Sequence, residues 1–347
     1  MPAKENPSAK SSELDLFQKK VWITVAIAVF VIGMVCLICK TFNVFLLIFA
    51  GSLIAIFFRA LSGIIQDKTN WKEGICLGIS VIGTSVILLA LFWLIGAKVQ
   101  DQFVELVDTL PKTFEKAKAW LNESAIGAKF IAHASSQGSM EKMQGFAQQF
   151  FQSTFGMLGD VYVVLFIGIF FTISPKTYTN GIIQLIPVSG QERAKEVLQT
   201  LGEQLQKWLK GQLFSMTVVF VMTAIGLAIL GMPLWLVLAL LAGLISFIPN
   251  FGPLLALIPA VLLGLMESQQ MALLVIGLYV LIQFIESNFI TTTIQKKLIN
   301  MPPALILIGQ LFMGSLTGVW GLVLATPIVL IVIILVQELY IRGREEN

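Results

Sequence analysis

Apolar stretches long enough to cross a lipid bilayer recur along most of this chain. They are about 17 to 24 residues long, and a helix of that length matches a hydrocarbon core of roughly 30 Å. The composition agrees, because 56% of the 347 residues are hydrophobic and 12% are charged. Strands of an outer-membrane barrel would instead alternate apolar and polar residues. The sequence therefore predicts an all-α integral membrane protein.

Six apolar stretches are predicted to cross the membrane completely. Lysine and arginine cluster before the first span, after the second, and between the fourth and the fifth, and such clusters mark the cytoplasmic side. The polar residues 1–20 are thus a cytoplasmic tail. The six predicted spans are 21–39, 42–58, 75–97, 156–173, 212–230 and about 272–294.

Two polar regions between spans have amphipathic patterns. Residues 98–155 carry Phe103, Leu106, Val107 and Leu110 at helical spacing and are predicted as an extracytoplasmic insert of surface helices. A charged helix before residue 210 is predicted as a cytoplasmic linker. The predicted organisation is a tail (1–20), spans one to three (21–97), the insert (98–155), span four with the linker (156–210), a transport domain (211–340) and a second cytoplasmic tail (341–347).

A charge-free run from Leu234 to Met266 is too long for one crossing. It has about 33 residues, or roughly 50 Å as one helix, and the stretch SFIPNFGP (246–253) interrupts it. Each half is too short to cross alone, which predicts a re-entrant helical hairpin over 232–266. Lipid cannot satisfy the free backbone groups of its tip, so the tip must be buried in protein or line a wet cavity.

A second charge-free run, from Pro302 to Gln337, repeats this pattern around a glycine-rich break at 314–321. It predicts a second hairpin over 301–337. One full span precedes each hairpin, while Glu267 follows the first hairpin and Lys296 and Lys297 precede the second. The two units are therefore predicted to have opposite orientations, which is the inverted repeat of secondary transporters.

The last full span carries a polar stripe. Gln283, Glu286, Ser287 and Thr291 share one helical face, with Asn288 beside it. A carboxylate within a membrane span is costly and is functional by default, as a proton or cation carrier or as a substrate ligand. The alternative is a structural ion pair between Glu286 and Lys296 or Lys297.

The hairpin tips supply the remaining candidates for substrate binding. At the first tip, the prolines and the glycine either form part of a binding site or only allow the chain to reverse direction. At the second tip, hydroxyl side chains bind substrate or pack helices, and Gln212 and Gln310 fit a role as interhelical hydrogen-bonding residues. The predicted binding residues are Pro249, Asn250, Gly252, Pro253, Gln283, Glu286, Asn288, Ser315 and Thr317.

Other functional classes find no support in the sequence. His133 is the only histidine, and Cys36 and Cys39 form a C-x-x-C motif within an apolar span, where a metal or redox site would lack polar partners. No phosphate-binding loop or hydrolase motif occurs. The net charge of +3 is weak and scattered and gives no nucleic-acid footprint. We expect neither an enzyme nor a bound cofactor.

Several motifs together resemble the autoinducer-2 exporter (AI-2E) family of bacterial membrane proteins. The Trp-x-x-Gly-Gln motif reads 208–212, the Ile-Pro-x-x-Gly-Pro tip reads 248–253, Glu-x-Asn reads 286–288, and the late Gly-x-x-Gly reads 318–321 with Pro327 after it. The chain departs from the pattern at Thr291–Thr293, where the family often carries a proline.

The resemblance implies an inner-membrane protein with both termini in the cytoplasm, assembled as a homopentamer and moving its hairpins like an elevator. Some members of the family resemble exporters of a small hydrophilic signalling molecule such as autoinducer-2. Others resemble Na⁺(Li⁺)/H⁺ antiporters. In the export hypothesis, Glu286 would couple movement to a gradient of H⁺ or Na⁺. A passive channel or a non-transporting scaffold is the third hypothesis.

Overall fold

The structure, a computed structural model, describes residues 7–87, 89–90, 93, 159–249, 251–291 and 302–341. The predicted insert at 98–155 lies outside these residues. Contacts between Cα atoms divide the chain into two units, residues 1–46 and residues 47–347. In the first unit, large apolar side chains such as Trp22 and Phe30 are exposed, as expected for a lipid-facing helix.

All regular elements among the described residues are helices, which agrees with the predicted all-α class. Ten α-helices are numbered here in chain order. They are α1 (Pro7–Thr69), α2 (Glu73–Ile87), α3 (Gly159–Ile173), α4 (Pro175–Gln184), α5 (Gln191–Ile229), α6 (Trp235–Ile245), α7 (Phe251–Glu267), α8 (Gln269–Ile285), α9 (Pro303–Thr317) and α10 (Val319–Leu335).

Helix α1 replaces two predicted spans with one helix of 63 residues. The sequence predicts a break between Cys39 and Phe42, but the helix continues through these positions. No glycine or proline occurs between Gly33 and Gly51 to end a helix. Thr41, a polar residue at the expected break, donates its hydroxyl to the Leu37 carbonyl at 2.8 Å within the helix. The prediction of separate helices was wrong because Lys40 and Thr41 are tolerated inside a helix.

The helices that correspond to the third and fourth predicted spans are short in the described part of the chain. Helix α2 covers the first part of the third span. Helix α3 ends at Ile173, and the chain bends by 86° into α4. Pro175 opens α4 and has no N–H to donate into the preceding turn, so the helix cannot continue straight through it.

Helix α5 joins two elements that the sequence predicts separately. The cytoplasmic linker helix and the fifth span form one helix of 39 residues, roughly 58 Å long. Helix α6 runs back along α5 with close contact, since a Cβ on Gly243 would lie 2.7 Å from the Phe220 Cβ. Helices α7 and α8 also pack closely, with Gly264 against the backbone of Ala272.

The buried core of the second unit lies among α5, α6, α7 and α8 together with the loop between α5 and α6. Buried polar side chains, Ser215 and Thr223 of α5, lie beside the apolar core residues, and close packing of this kind holds the four helices together. The core residues are Val219, Leu227, Met232, Leu234, Val237, Leu238, Ala242, Ala256, Ala260, Leu263, Val275, Tyr279 and Ile282.

Four helices in the described part of the chain are long and apolar enough to cross a membrane, or five if α3 and α4 form one bent span. They are Thr41–Thr69, Val188–Ile229, Gln269–Asn288 and Val319–Ile341. Helices α6, α7 and α9 are shorter, with 11, 17 and 15 residues. The two helical segments of the second hairpin therefore differ in length, since α9 has 15 residues and the segment Val319–Ile341 has 23.

Candidate functional site

Glu286 lies at the start of a six-residue π-helix, Glu286–Thr291, that continues α8. One carboxylate oxygen accepts a hydrogen bond from the Ser215 hydroxyl of α5 at 3.0 Å. The other accepts from the Gln283 amide at 3.0 Å. Local π-helices often occur at functional sites. The Glu286 side chain is half-buried and accepts hydrogen bonds from both α5 and α8.

The other residues of the predicted stripe divide into two groups. Gln283 also donates to the Ser287 hydroxyl at 2.9 Å and so belongs to the Glu286 network. Asn288 is exposed and donates to the Phe284 carbonyl of its own helix at 2.8 Å. The Thr291 side chain, Lys296 and Lys297 lie outside the described residues, so the ion-pair alternative stays a prediction.

The first turn, residues 246–250, connects α6 to α7. Two carbonyls of this turn accept hydrogen bonds from glutamines of other helices, and that of Pro249 also accepts from the Phe251 N–H at 2.8 Å. Gln212 of α5 donates to the Ser246 carbonyl at 2.8 Å, and Gln310 of α9 donates to the Pro249 carbonyl at 2.8 Å. The predicted interhelical role of these glutamines is confirmed, and both act on this turn.

The start of α7 explains the glycine and proline of the predicted tip. A Cβ on Gly252 would collide with the Ile245 carbonyl oxygen and would lie 2.7 Å from the Ser246 Cα. Only glycine therefore allows α7 to begin so close to the end of α6. Pro253 lies in the first turn of α7, where a missing N–H is tolerated. Asn250 lies outside the described residues.

One face of α5 brings the first turn and Glu286 together. The Trp208 ring meets the Phe247 ring edge-on, with 5.7 Å between centroids. Gln212 and Ser215 follow at helical spacing and bind Ser246 and Glu286. These three positions span about two helical turns, or roughly 10 Å. Trp208 and Ser215 were not predicted as site residues, although polar Gln212 and Ser215 at the start of an apolar stretch were a signal.

The second turn, at Gly318, connects α9 to α10. The hydroxyls predicted there bind their own helix: Ser315 donates to the Phe312 carbonyl at 2.8 Å and Thr317 to the Met313 carbonyl at 3.0 Å. Ser315 is also exposed. Gln310 forms the observed hydrogen bond between the hairpins and lies about 12 Å along α9 from Gly318. The binding role of Ser315 and Thr317 stays a prediction.

The two turns contact different helices. The first turn lies beside Trp208 and Gln212, at the start of the apolar part of α5 rather than its middle. Beyond the second turn, the Trp320 indole donates to the Asp160 carboxylate, at the start of α3, at 2.8 Å.

Comparison with known proteins identifies relatives. The family model for the AI-2E family transporter matches residues 25–341. "Putative transport protein YrrI" of Bacillus subtilis is 29% identical over 47% of this chain and 46% of its own length. "Putative transport protein YueF" of the same organism is 27% identical over 52% of this chain and 50% of its own length. These matches thus span about half of each relative.

A longer match covers more of the chain at lower identity. "Putative transport protein MT0215" of Mycobacterium tuberculosis is 24% identical over 78% of this chain and 77% of its own length. The family model covers nearly the whole chain, including α5, both turns and Glu286. The chain therefore belongs to the AI-2E transporter family.

Proposed function

We propose that this protein is a secondary transporter that exports a small hydrophilic solute, such as autoinducer-2, across the bacterial inner membrane. The observation that carries this proposal is the polar face of α5. Gln212 and Ser215 hold the first turn and Glu286 within one helical turn of each other. The Glu286 carboxylate and the turn carbonyls are acceptors, and the Gln212 amide and Ser215 hydroxyl are donors, so the site offers both kinds of group to a polyhydroxy solute.

The hydrogen bonds of the first turn suit a moving element. A side-chain bond to a carbonyl contributes about 0.5–1.5 kcal/mol, so the bonds from Gln212 and Gln310 can be exchanged at small cost for bonds to a solute or to water. In the proposed mechanism, the first hairpin and Glu286 move against a scaffold in an elevator-like way. The homopentamer implied by the family resemblance would supply that scaffold.

The position of the first turn supports a state open to the cytoplasm. Trp208 and Gln212 flank Lys210 on α5, and the predicted topology places this end of α5 on the cytoplasmic side. Arg193, further toward the same end, donates to the Glu338 carbonyl at 2.8 Å, and this contact supports a cytoplasmic position for the residues that follow α10. A solute would enter this site from the cytoplasm, as export requires.

Efflux of autoinducer-2 from proteoliposomes under imposed proton and sodium gradients tests the proposal. We expect gradient-driven efflux in the wild type and a loss of at least tenfold in Glu286→Gln, which keeps the size of the side chain and removes its charge. Glu267→Gln is the matched control, because this carboxylate is exposed at the end of α7. Equal efflux in Glu286→Gln and wild type would contradict the proposal.

The second candidate is a Na⁺(Li⁺)/H⁺ antiporter. Glu286 favours it, because a half-buried carboxylate within an apolar helix is suited to exchange a proton for a cation. Proton flux driven by sodium, measured with a trapped pH dye, without efflux of any organic solute would support this function over the first. Equal flux with and without a gradient would instead indicate a passive channel, and no flux a scaffold.

A further inference from the structure

A largely apolar groove lies between α1 and α5. Nine residues line it, five from 56–64 of α1 and four from 206–213 of α5. Seven of the nine are apolar, and the groove is open on one side, with a volume of about 180 Å³. An apolar cavity of about 150 Å³ can hold a benzene molecule, so this groove has room for a segment of hydrocarbon chain. A hydrophilic solute would find few polar partners in it.

The two polar residues of the groove are Gln206 and Lys210, which lie one turn apart on the same face of α5. They supply an amide donor and an ammonium group, while none of the nine lining residues is acidic. Lys210 is exposed and forms no ion pair with another residue in the described part of the chain. The groove therefore fits an anionic group that is joined to a hydrocarbon chain.

Both walls of the groove lie near basic residues. Arg59 and Lys68 lie toward the end of α1, and Lys72 follows that helix. Lys207 and Lys210 lie on α5. The predicted topology places both groups on the cytoplasmic side, and the groove joins the two helices at that level. The cytoplasmic leaflet carries anionic lipids, and basic pockets between membrane helices on this side bind their headgroups.

The lysine favours a lipid over a second copy of this chain as the occupant. Lysine is depleted at the buried centre of protein interfaces, where its charge would lose water and require a partner. In a groove filled by lipid, the stem of Lys210 can lie along the apolar wall while its ammonium group reaches the level of the phosphates. An anionic phospholipid therefore satisfies both parts of the groove.

We propose that the groove between α1 and α5 binds an anionic phospholipid of the cytoplasmic leaflet. One acyl chain lies along the apolar wall, and the phosphate accepts hydrogen bonds from Gln206 and Lys210. At 3.6 residues per turn, Lys210 and Leu213 lie on the side of α5 opposite to Trp208 and Ser215. The lipid thus binds α5 on the side that faces away from the candidate functional site, and it is distinct from the transported solute.

Thermal unfolding of the full-length protein, freed of lipid in a neutral detergent, tests the site. Phosphatidylglycerol and phosphatidylcholine with the same acyl chains are added in separate titrations. A lipid that binds the folded protein raises the unfolding midpoint in a saturable way. We expect an apparent affinity at least tenfold higher for phosphatidylglycerol. Equal responses to the two lipids would overturn the proposal, because they would show that the anionic headgroup is not recognised.

Two lysine variants show whether the response comes from the groove. Lys210→Gln removes the charge and is expected to weaken the apparent affinity for phosphatidylglycerol at least tenfold, with the affinity for phosphatidylcholine unchanged. Lys207→Gln is the matched control, because Lys207 is exposed on the same helix but does not line the groove. We expect it to remain within twofold of the wild type. Equal losses in the two variants would overturn the proposal, since they would indicate general attraction to surface charge, and so would an unchanged affinity in Lys210→Gln.

Photo-crosslinking of the wild type is the second measurement and requires no variant to fold. A phosphatidylglycerol with a photoreactive group in its acyl chain should label residues 56–64 and 206–213, and unlabelled phosphatidylglycerol should displace it more effectively than phosphatidylcholine. Labelling confined to other segments would overturn the site, as expected if a second copy of the chain covers the groove. Both readouts are independent of flux, so lipid binding and the proposed transport function can fail separately.

Discussion

The two hairpins reverse the chain in different ways. The first uses a turn of several residues, 246–250, whose carbonyls are bound by Gln212 and Gln310 from other helices. The second uses Gly318 alone, with φ 66° and ψ −135°, and the N–H of Gly318 donates to the Gly314 carbonyl of its own hairpin. Both turns contain hydrogen bonds of their own backbone, such as the one from the Gly252 N–H to the Ile248 carbonyl at 2.8 Å in the first. The first turn has, in addition, two carbonyls bound by side chains of other helices.

This difference indicates how the two turns contribute to function. A turn held by side chains of other helices has a second arrangement available whenever those side chains change partners. The second turn lacks such side-chain bonds among the described residues, so we expect it to move together with its whole hairpin. We therefore expect the contacts of the first turn to change during transport and those of the second turn to remain in place.

The largest effect on stability is expected where a Cβ added to a glycine would collide with backbone atoms. Gly252 at the first turn and Gly321 after the second both lie against carbonyl groups, at Ile245 and Met313. We expect Gly252→Ala and Gly321→Ala each to destabilise the protein by about 3 kcal/mol, because the added methyl forces backbone to move. Thermal unfolding in detergent measures this. Gly277→Ala has open space and should be neutral or slightly stabilising. A neutral Gly252→Ala would refute the tight first turn.

Removing a glutamine from the first turn is expected to have the next largest effect. Gln212→Leu leaves the Ser246 carbonyl without this donor, at a cost of about 1–3 kcal/mol. Gln199→Leu is the control, since Gln199 is exposed on the same helix and donates to Glu203. Unfolding midpoints of the two variants should differ by several degrees. Equal midpoints would show that the first turn does not depend on α5.

The contact beyond the second turn is expected to affect stability without affecting transport. Trp320→Phe removes the hydrogen bond to Asp160 and should cost about 1–2 kcal/mol, with flux within twofold of the wild type. Trp71→Phe is the control, because Trp71 is exposed at the surface. A tenfold loss of flux in correctly folded Trp320→Phe would place the second turn in the transport mechanism.

The smallest effect is expected for the hydroxyls of the second turn. Ser315 and Thr317 donate to carbonyls of their own helix, and such bonds add little to helix stability. Ser315→Ala and Thr317→Val should remain within about 0.5 kcal/mol of the wild type, with unchanged efflux of autoinducer-2. Loss of efflux in either variant would show that both turns bind the solute.

The sequence predicted features that a single physical rule determines, such as a chain reversal, and it missed features that depend on tertiary packing. Charge-free length and the Pro249–Pro253 motif predicted a break between α6 and α7, because proline lacks an N–H and Gly252 permits close contact. Lys40 and Thr41 led to a wrong break in α1, since polar residues alone do not end a helix. Ser215 and Trp208 became recognisable only when α5, α6 and α8 packed together, because the relation of α5 to α8 depends on tertiary contacts.

Movement of the first turn against α5 is the central claim, and cross-linking tests it most directly. Trp208→Cys and Phe247→Cys, in a variant without Cys36, Cys39 and Cys76, can be joined by a short cleavable thiol reagent because the native rings are in contact. Gly314→Cys with Leu322→Cys is the control within the second hairpin. We predict that the first cross-link stops efflux from proteoliposomes, that cleavage restores it, and that the control cross-link has no effect. Full efflux with positions 208 and 247 joined would contradict the account.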